Sequence, residues 1–503
     1  MPREAIENRQ RKGTMIMEEQ RWTETAPDTE AGLAARAARV LRRNDMGTWT
    51  KAAPDLYPHQ WSWDSAFIAI GLSHLDTLRA AEELLTLFAH QWKNGKVPHI
   101  VFNPEAPPDS YFPGADHWAC AAATPDAPLS PPYTSCLCQP PMHAIAARSI
   151  WEGAADGNAR AEARAFLHHI YLRLFAWHRY LATARDPESS GLVTIYHPWE
   201  SGTDNSPRWD DALAAVEVGR LSPIPRRDLE HVGDPAERPT NADYDRYLWL
   251  VKLIKRASCN DASIYETHPF LMKDVLFSAI LVAANDALLE IADIVGAPRE
   301  DFDLIAGWAE RGREGLETCW EADFRLCMDY NVRTGEPIRS RTIAGFAPLI
   351  SGRLSRERLG DLLQTFNSPD FAGDSRLRWP LPPSTSLEGR GFHPRSYWRG
   401  PIWPVANWLA WWSLVRAGEV GLAAKIRRAS LDQIAEGDFA EYFEPLTGEP
   451  LGSLGQSWTA AVVLDWLLAD GSMSAETGTF GIGKATDISM HELARKPGRS
   501  IGL

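Results

Sequence analysis

Residues 275–284 read Val275-Leu276-Phe277-Ser278-Ala279-Ile280-Leu281-Val282-Ala283-Ala284, an apolar run broken only by Ser278. It lies inside a helical pattern over 273–294 that has no polar face there. A helix apolar on nearly all sides is buried inside a fold rather than laid on its surface. Ten residues are too few to cross a bilayer, so the run predicts a core helix in an all-α protein.

Outward from this run the helical period dominates. Helices are predicted over 30–44, 140–151, 161–181, 242–254, 302–321, 355–365, 404–417, 421–436 and 457–468. Leu78, Ala81, Leu84, Leu85, Phe88 and Trp92 add another, with Gly95 just past its end. Ser355 suits an N-cap, because its hydroxyl can accept from a free N–H of the first turn; Gly418 stops the helix over 404–417. The total is roughly a dozen helices with no convincing series of strands. No repeat of 20 to 50 residues is visible, which argues against a solenoid. Evenly spaced helix pairs fit one domain closed into a ring, over 29–470. Residues 1–28 read as a flexible polar lead-in and 471–503 as a polar tail.

The rest is loop. The segment 46–65 is dense in aromatics and cannot be a simple amphipathic helix, since Trp61 and Trp63 alternate with polar residues. The segment 102–138 is rich in Pro and too long for a mere connection, so a lid or binding loop is expected. Irregular stretches follow at 221–241 and 370–395.

Composition bounds the function. The chain has 503 residues, 44% hydrophobic and 23% charged, with a net charge of -14. That charge argues against nucleic acid or an anionic membrane as the main partner. The N-terminus lacks the apolar core of a signal peptide. The six cysteines show no paired zinc spacing and read as reduced thiols of a cytoplasmic protein. His59, His143, His197 and His393 have no metal spacing, and no phosphate loop appears; Gly481-Ile482-Gly483-Lys484 lacks a preceding strand. No metal or cofactor is expected.

The chemistry gathers in residues 197–210, His-Pro-Trp-Glu-Ser-Gly-Thr-Asp-Asn-Ser-Pro-Arg-Trp-Asp. Trp199 and Trp209 flank Glu200, Asp204 and Asp210. A carboxyl beside apolar rings is desolvated, which raises its pKa and suits a general acid near neutral pH. A second stretch, Phe439-Ala440-Glu441-Tyr442-Phe443-Glu444-Pro445-Leu446-Thr447-Gly448, carries Glu441 and Glu444 among aromatics. If the two loops converge, they present paired carboxylates, the minimum machinery of a glycosidase. Residue types alone leave open which carboxylates act. The 21 Trp outnumber the 17 Phe, and Trp suits stacking on sugar faces. Trp61, Trp63, Trp199, Trp398 and Trp403 are candidates for that. Trp411-Trp412, inside a helix, read as packing. Arg238 alone reads as a surface ion pair.

Five stretches in order, Gln60-Trp61-Ser62-Trp63-Asp64, Gln139-Pro140-Pro141, Trp199-Glu200-Ser201-Gly202-Thr203-Asp204-Asn205-Ser206, Tyr397-Trp398-Arg399-Gly400-Pro401 and Glu441 to Gly448, resemble the α-glycosidases of glycoside hydrolase family 63. The nearest likeness is to the compact bacterial glucosylglycerate and mannosylglycerate hydrolases, over about residues 45–468. The resemblance implies an (α/α)6 toroid and an inverting mechanism, with Asp204 as general acid and Glu441 as general base. Glu200, Asp210 and Glu444 then become supporting residues. It further implies that Tyr57, Gln60, Trp61, Ser62, Trp63, Asp64, Tyr111, Gln139, Gly202, Arg238, Tyr397, Trp398, Trp403 and Gln456 bind substrate. Asp64 would accept from sugar hydroxyls, while Arg238 and Tyr397 would hold a glycerate carboxylate. Tyr111 lies where the resemblance is loosest, in the loop expected to close over the aglycone.

The expectation is thus a cytoplasmic, metal-independent hydrolase of a small glycosylglycerate, acting as a monomer or a homo-oligomer. The rivals are a same-fold α-glucosidase or trehalase acting on a neutral sugar, a helical-barrel epimerase using His143, His197 or His393, and a non-catalytic sugar-binding barrel.

Overall fold

The computed structural model describes residues 29–469, apart from 108, 109, 223, 224 and 230–232. The lead-in 1–28, the tail from 470 onward and the glycine motif at 481–484 lie outside the described residues. In chain order the helices that build the fold are α1 (Glu30–Asn44), α2 (Ser62–Ser73), α3 (Thr77–Phe88), α4 (His143–Gly153), α5 (Asn158–Thr183), α6 (Asn241–Arg256), α7 (Val275–Val295), α8 (Arg299–Thr318), α9 (Ala347–Ser351), α10 (Arg356–Phe366), α11 (Pro404–Arg416), α12 (Val420–Gly437) and α13 (Ser457–Leu468).

These helices close an (α/α)6 toroid. The inner ring runs α2, α4, α7, α9, α11, α13 and back to α2, each packed on the next. Outside it, α3 backs α2, α5 backs α4, α8 backs α7, α12 backs α11 and α1 backs α13. The outer helix α10 joins α9 through an apolar cluster that includes Leu349, Leu362 and Phe366. The helix α6 is not one of these pairs, but Tyr247, Leu248 and Leu250 pack it into the same core.

The core helix reads as its sequence demands. Asp274 caps α7 by accepting from Phe277 N at 2.9 Å, and Gly296 ends it at φ +68°. The helix is 21 residues long, close to the expected 273–294, and so is long and apolar enough by itself to cross a membrane although its apolar run is not; 83% of its most apolar window is instead buried against its neighbours. Ser355 does cap α10, accepting from Arg358 N at 3.1 Å.

Other expectations needed correction. The aromatic segment 46–65 contains the start of α2, all twelve residues of which are buried. Burial on every side erased the amphipathic period that would have betrayed it. The helix α3 stops at Phe88, so Trp92 is not on it; its ring donates instead to Thr134 Oγ1 at 2.9 Å. Leu78, counted on the apolar face, is 45% exposed. The helices α9 and Asp261–Thr267 were too short to show a period. Short antiparallel strands also escaped the reading: β1 (Gln60–Trp61) pairs β2 (Ile100–Val101), and β3 (Thr194–Ile195), β4 (Met272–Lys273), β5 (Asp329–Asn331) and β6 (Glu336–Ile338) form one sheet in that order. A further hairpin joins β7 (Tyr442–Phe443) to β8 (Pro450–Leu451). The Pro-rich segment 102–138 is loop apart from single turns at Ala115–Trp118 and Cys120–Ala123.

The inner helices present their N-terminal ends to one mouth of the ring. Trp63 and Asp64 open α2, Gln139 precedes α4, Tyr397 precedes α11, and Gln456 is the residue before α13. A second apolar cluster beside that mouth packs Trp61, Phe102, Trp118 and Leu137 together, with Tyr57, Tyr111 and Trp199 against it.

Candidate active site

At this mouth lies a cleft of about 980 Å³, its open entrance included, and Asp204 and Glu441 both line it. Tyr57, Trp61, Trp63, Asp64, Tyr111, Gln139, Gly202, Arg238, Tyr397 and Gln456 share the lining. Trp199, Tyr244, Phe112 and Trp458 complete the aromatic wall.

The loop carrying Asp204 is fixed from several sides. Residues Pro198–Ser201 form a 3-10 turn capped by His197, whose Nδ1 accepts from Trp199 N at 3.0 Å. Gly202 follows at φ +70°, and a Cβ there would meet the Trp63 ring at 2.7 Å. Only glycine satisfies both the left-handed backbone and that close approach. Arg208 is buried and donates to Thr203 Oγ1 at 2.6 Å and to Asp329 Oδ1 at 2.7 Å, and the Tyr247 hydroxyl reaches the Asp204 carbonyl at 3.3 Å. The Asp204 carboxyl is thereby aimed into the cleft. Burial, and then the charge of Glu441, push its pKa up to about 8, while Arg238 pulls it down. Asp64 is likewise held well above the usual carboxylate range by burial, Glu441 and Asp204.

Glu441 sits immediately before β7 and is 1% exposed. Its Oε1 accepts from the hydroxyls of Tyr57 at 2.8 Å and Tyr397 at 3.2 Å. Its Oε2 accepts from Ser453 N at 3.0 Å and lies 3.5 Å from Arg238 Nη2. Arg238 also donates to the Tyr57 hydroxyl at 3.2 Å and lies over the Tyr397 ring. Its Nε and Nη2 are buried with no hydrogen-bond partner. A buried guanidinium edge left unfilled is costly unless something anionic or polar fills it.

Tyr397 has φ +46°, a conformation that non-glycine residues rarely adopt. Asn205, next to Asp204, holds it there. Its Oδ1 accepts from Trp398 N at 2.9 Å and its Nδ2 donates to Ser396 Oγ at 3.4 Å. The loop of Asp204 and the loop of Tyr397 are therefore one unit.

The neighbouring carboxylates stand elsewhere. Glu200 is fully buried and paired bidentately with Arg185 at 2.6 and 2.9 Å, and it also accepts from Tyr196 N and Cys138 N. Burial alone would raise its pKa, but the guanidinium and these donors hold it at about 2. Asp210 pairs with Arg399 at 2.6 and 2.7 Å on the surface. Glu444 accepts from the backbone and hydroxyl of its own turn at Leu446 and Thr447.

Four expected substrate residues do not line the cleft. Gln60 points inward, donating to Ser65 Oγ at 3.1 Å and to Glu83. Ser62 meets His143 Nε2 at 3.1 Å. Trp398 and Trp403 stack on each other at 3.8 Å, nearly fully buried, and Trp403 donates to the Tyr397 carbonyl at 3.2 Å. They brace the wall from behind. Trp209, expected to desolvate the acid, packs on Phe270 in the core. Among the lining residues that the sequence did not single out are His99, Arg227, Asp228, Tyr244 and Trp458; of these only Trp458, two residues after Gln456, had an adjacent motif to point to it. His143 and His197 are buried and engaged, His393 is exposed, and none lines the cleft. A carboxyl uncharged at neutral pH and a carboxylate ringed by donors, sharing an aromatic cleft, can protonate a leaving oxygen and activate water.

The chain matches the family model described as the mannosylglycerate hydrolase MGH1-like glycoside hydrolase domain over residues 57–459. It is 46% identical to a glucosylglycerate hydrolase of Mycolicibacterium hassiacum over 441 residues, 87% of this chain and 98% of that protein. It is 41% identical to a mannosylglycerate hydrolase of Thermus thermophilus over 432 residues, 86% of this chain and 99% of that protein. A crystal structure of a GH63 mannosylglycerate hydrolase from Thermus thermophilus, in complex with Tris and D-glycerate, superposes with a TM-score of 0.79 at 40% identity, covering 86% of this chain and 99% of that one.

Proposed function

This chain belongs to the MGH1-like glycoside hydrolases of family 63, and from that premise we propose that it hydrolyses α-D-glucosylglycerate, with α-D-mannosylglycerate as the second candidate, by inversion. In this reading Asp204 protonates the glycosidic oxygen and Glu441 takes a proton from the attacking water. Asp64 accepts hydroxyls of the sugar, and the aromatic wall packs on its C–H faces. Arg238 and Tyr397 take the glycerate carboxylate.

The observation that carries the reading is that Asp204, Glu441 and Arg238 line one cleft. Asp204 keeps its proton at neutral pH, Glu441 is ringed by donors, and Arg238, ion-paired to Glu441, keeps its Nε and Nη2 without a hydrogen-bond partner. A neutral disaccharide would leave that guanidinium edge unmatched. The names of the relatives favour the same substrates. We assign the enzyme to the cytoplasm, since none of the six cysteines is in a disulfide, which suits a reducing compartment. We take residues 29–470 as a single catalytic domain.

The test is turnover of a panel: α-D-glucosylglycerate, α-D-mannosylglycerate, trehalose and α-gluco-oligosaccharides, with released sugar quantified. The two glycerates should be cleaved and the neutral sugars spared. Cleavage of trehalose or oligosaccharides alone would reject the glycerate assignment.

A further inference from the structure

Three of the six cysteines, two from one loop and one from far along the chain, meet in the fold. Cys120 opens the second of the two single turns in the 102–138 loop, Cys136 lies near the end of that loop, and Cys259 just past α6. Their sulfur atoms lie within 4.8 Å of one another, and the residues are 4%, 2% and 4% exposed. Zinc–sulfur bonds of about 2.3 Å put sulfurs of one tetrahedral site about 3.8 Å apart. The cluster therefore needs only a small contraction to share one ion.

A second observation points the same way. Lys96 is 1% exposed. Its ammonium donates to the Cys136 carbonyl at 2.9 Å and lies 3.5 Å from the centre of the Trp92 ring. Among the described residues no carboxylate pairs with it. A buried cation without a counter-ion is unfavourable. Three thiolates around a divalent ion carry one net negative charge, which is the complement Lys96 lacks.

We propose that Cys120, Cys136 and Cys259 form a three-thiolate site for a thiophilic divalent cation of the zinc type, which staples the cleft-side loop to the end of α6. Thiolate sulfur selects such soft ions over calcium or magnesium. Binding replaces the thiol protons, which pass to solvent. The site is structural. It belongs to the apolar cluster that carries Trp61 and supports Tyr57 and Tyr111, and so it braces one wall of the cleft without touching Asp204 or Glu441. Lys255, in the last turn of α6, donates to the His117 carbonyl and ties the same two segments. The site would form whichever glycoside the enzyme cleaves.

The test is a titration of the reduced, chelator-treated full chain with Cd2+, followed by ultraviolet sulfur-to-metal charge transfer and by thermal unfolding. One Cd2+ per chain should saturate the band, Zn2+ should displace it, and either ion should raise the unfolding midpoint. Cys120→Ser and Cys259→Ser should each weaken Cd2+ binding roughly 100-fold or more, whereas Cys319→Ser should leave it unchanged. Absence of a saturable band in the folded wild-type chain would overturn the proposal, with no need of the variants. A band that survives at one equivalent in both the Cys120→Ser and Cys259→Ser chains would overturn it as well.

Discussion

Raising the pH through 8 should switch the enzyme off by removing one proton. The Asp204 carboxyl is pushed to about 8 by burial and by Glu441, against an ordinary value of 3.8. A group with that pKa is about 90% protonated at pH 7 and about 10% at pH 9. The rate at low substrate should therefore fall about tenfold per pH unit above 8. Asp204→Asn should lose roughly 10²- to 10⁴-fold in turnover, about 3 to 5 kcal/mol of transition-state stabilisation, and should lose the alkaline limb with it. An α-glucoside whose leaving group needs no proton should be spared most of this loss. The same proton acts on stability, and the sign follows from the raised folded pKa. Between pH 3.8 and 8 the folded chain holds a proton that the unfolded chain releases. The stability it contributes is full below 3.8 and is lost as pH rises through about 8. Asp204→Asn has no such loss, so its unfolding midpoint should exceed that of the wild type by a margin that grows from pH 4 to pH 8. The assay is a pH series of initial rates and melting curves for both chains. An alkaline limb that stays at pH 8 in Asp204→Asn would refute the reasoning.

Three further perturbations bear on the supporting structure. Gly452 stands at φ +71°, and a Cβ there would meet Glu441 Oε2 at 2.5 Å; Gly452→Ala should lower kcat at least tenfold with KM little changed, as steady-state kinetics would read. Glu200→Gln breaks a fully buried ion pair with Arg185. With Glu200 held at about 2, the stability it contributes is present above its unfolded pKa and lost as pH falls toward 2, so at pH 7 urea unfolding should show a loss of roughly 3 kcal/mol. Arg238→Gln should raise KM for glycosylglycerates more than for neutral α-glucosides, by roughly 10- to 100-fold, as expected for a lost charge-assisted contact.

Much of this was legible in the chain itself, for identifiable reasons. The run at 275–284 announced a buried helix because no polar residue gave it an outside, and Ser355 announced a cap because of its hydroxyl. The helix α2 stayed hidden because its twelve residues are all buried, and α9 because five residues hold too little of a period. Within the motifs, adjacency could not say which side a residue faces. Trp63 and Asp64 reach the cleft, while Gln60 and Ser62 turn away to Glu83 and His143. The same holds for Tyr397, which faces in, and Trp398, stacked behind it. The thiol cluster was invisible because its members come from two distant segments, the 102–138 loop and the end of α6, that only the fold brings together.

The central claim is a single displacement by water, with Asp204 giving a proton and Glu441 taking one. Proton NMR of the sugar first released from α-D-glucosylglycerate, read before mutarotation, tests this most directly. Inversion predicts the β-anomer at first, decaying to the equilibrium mixture. An initial α-anomer would contradict the account.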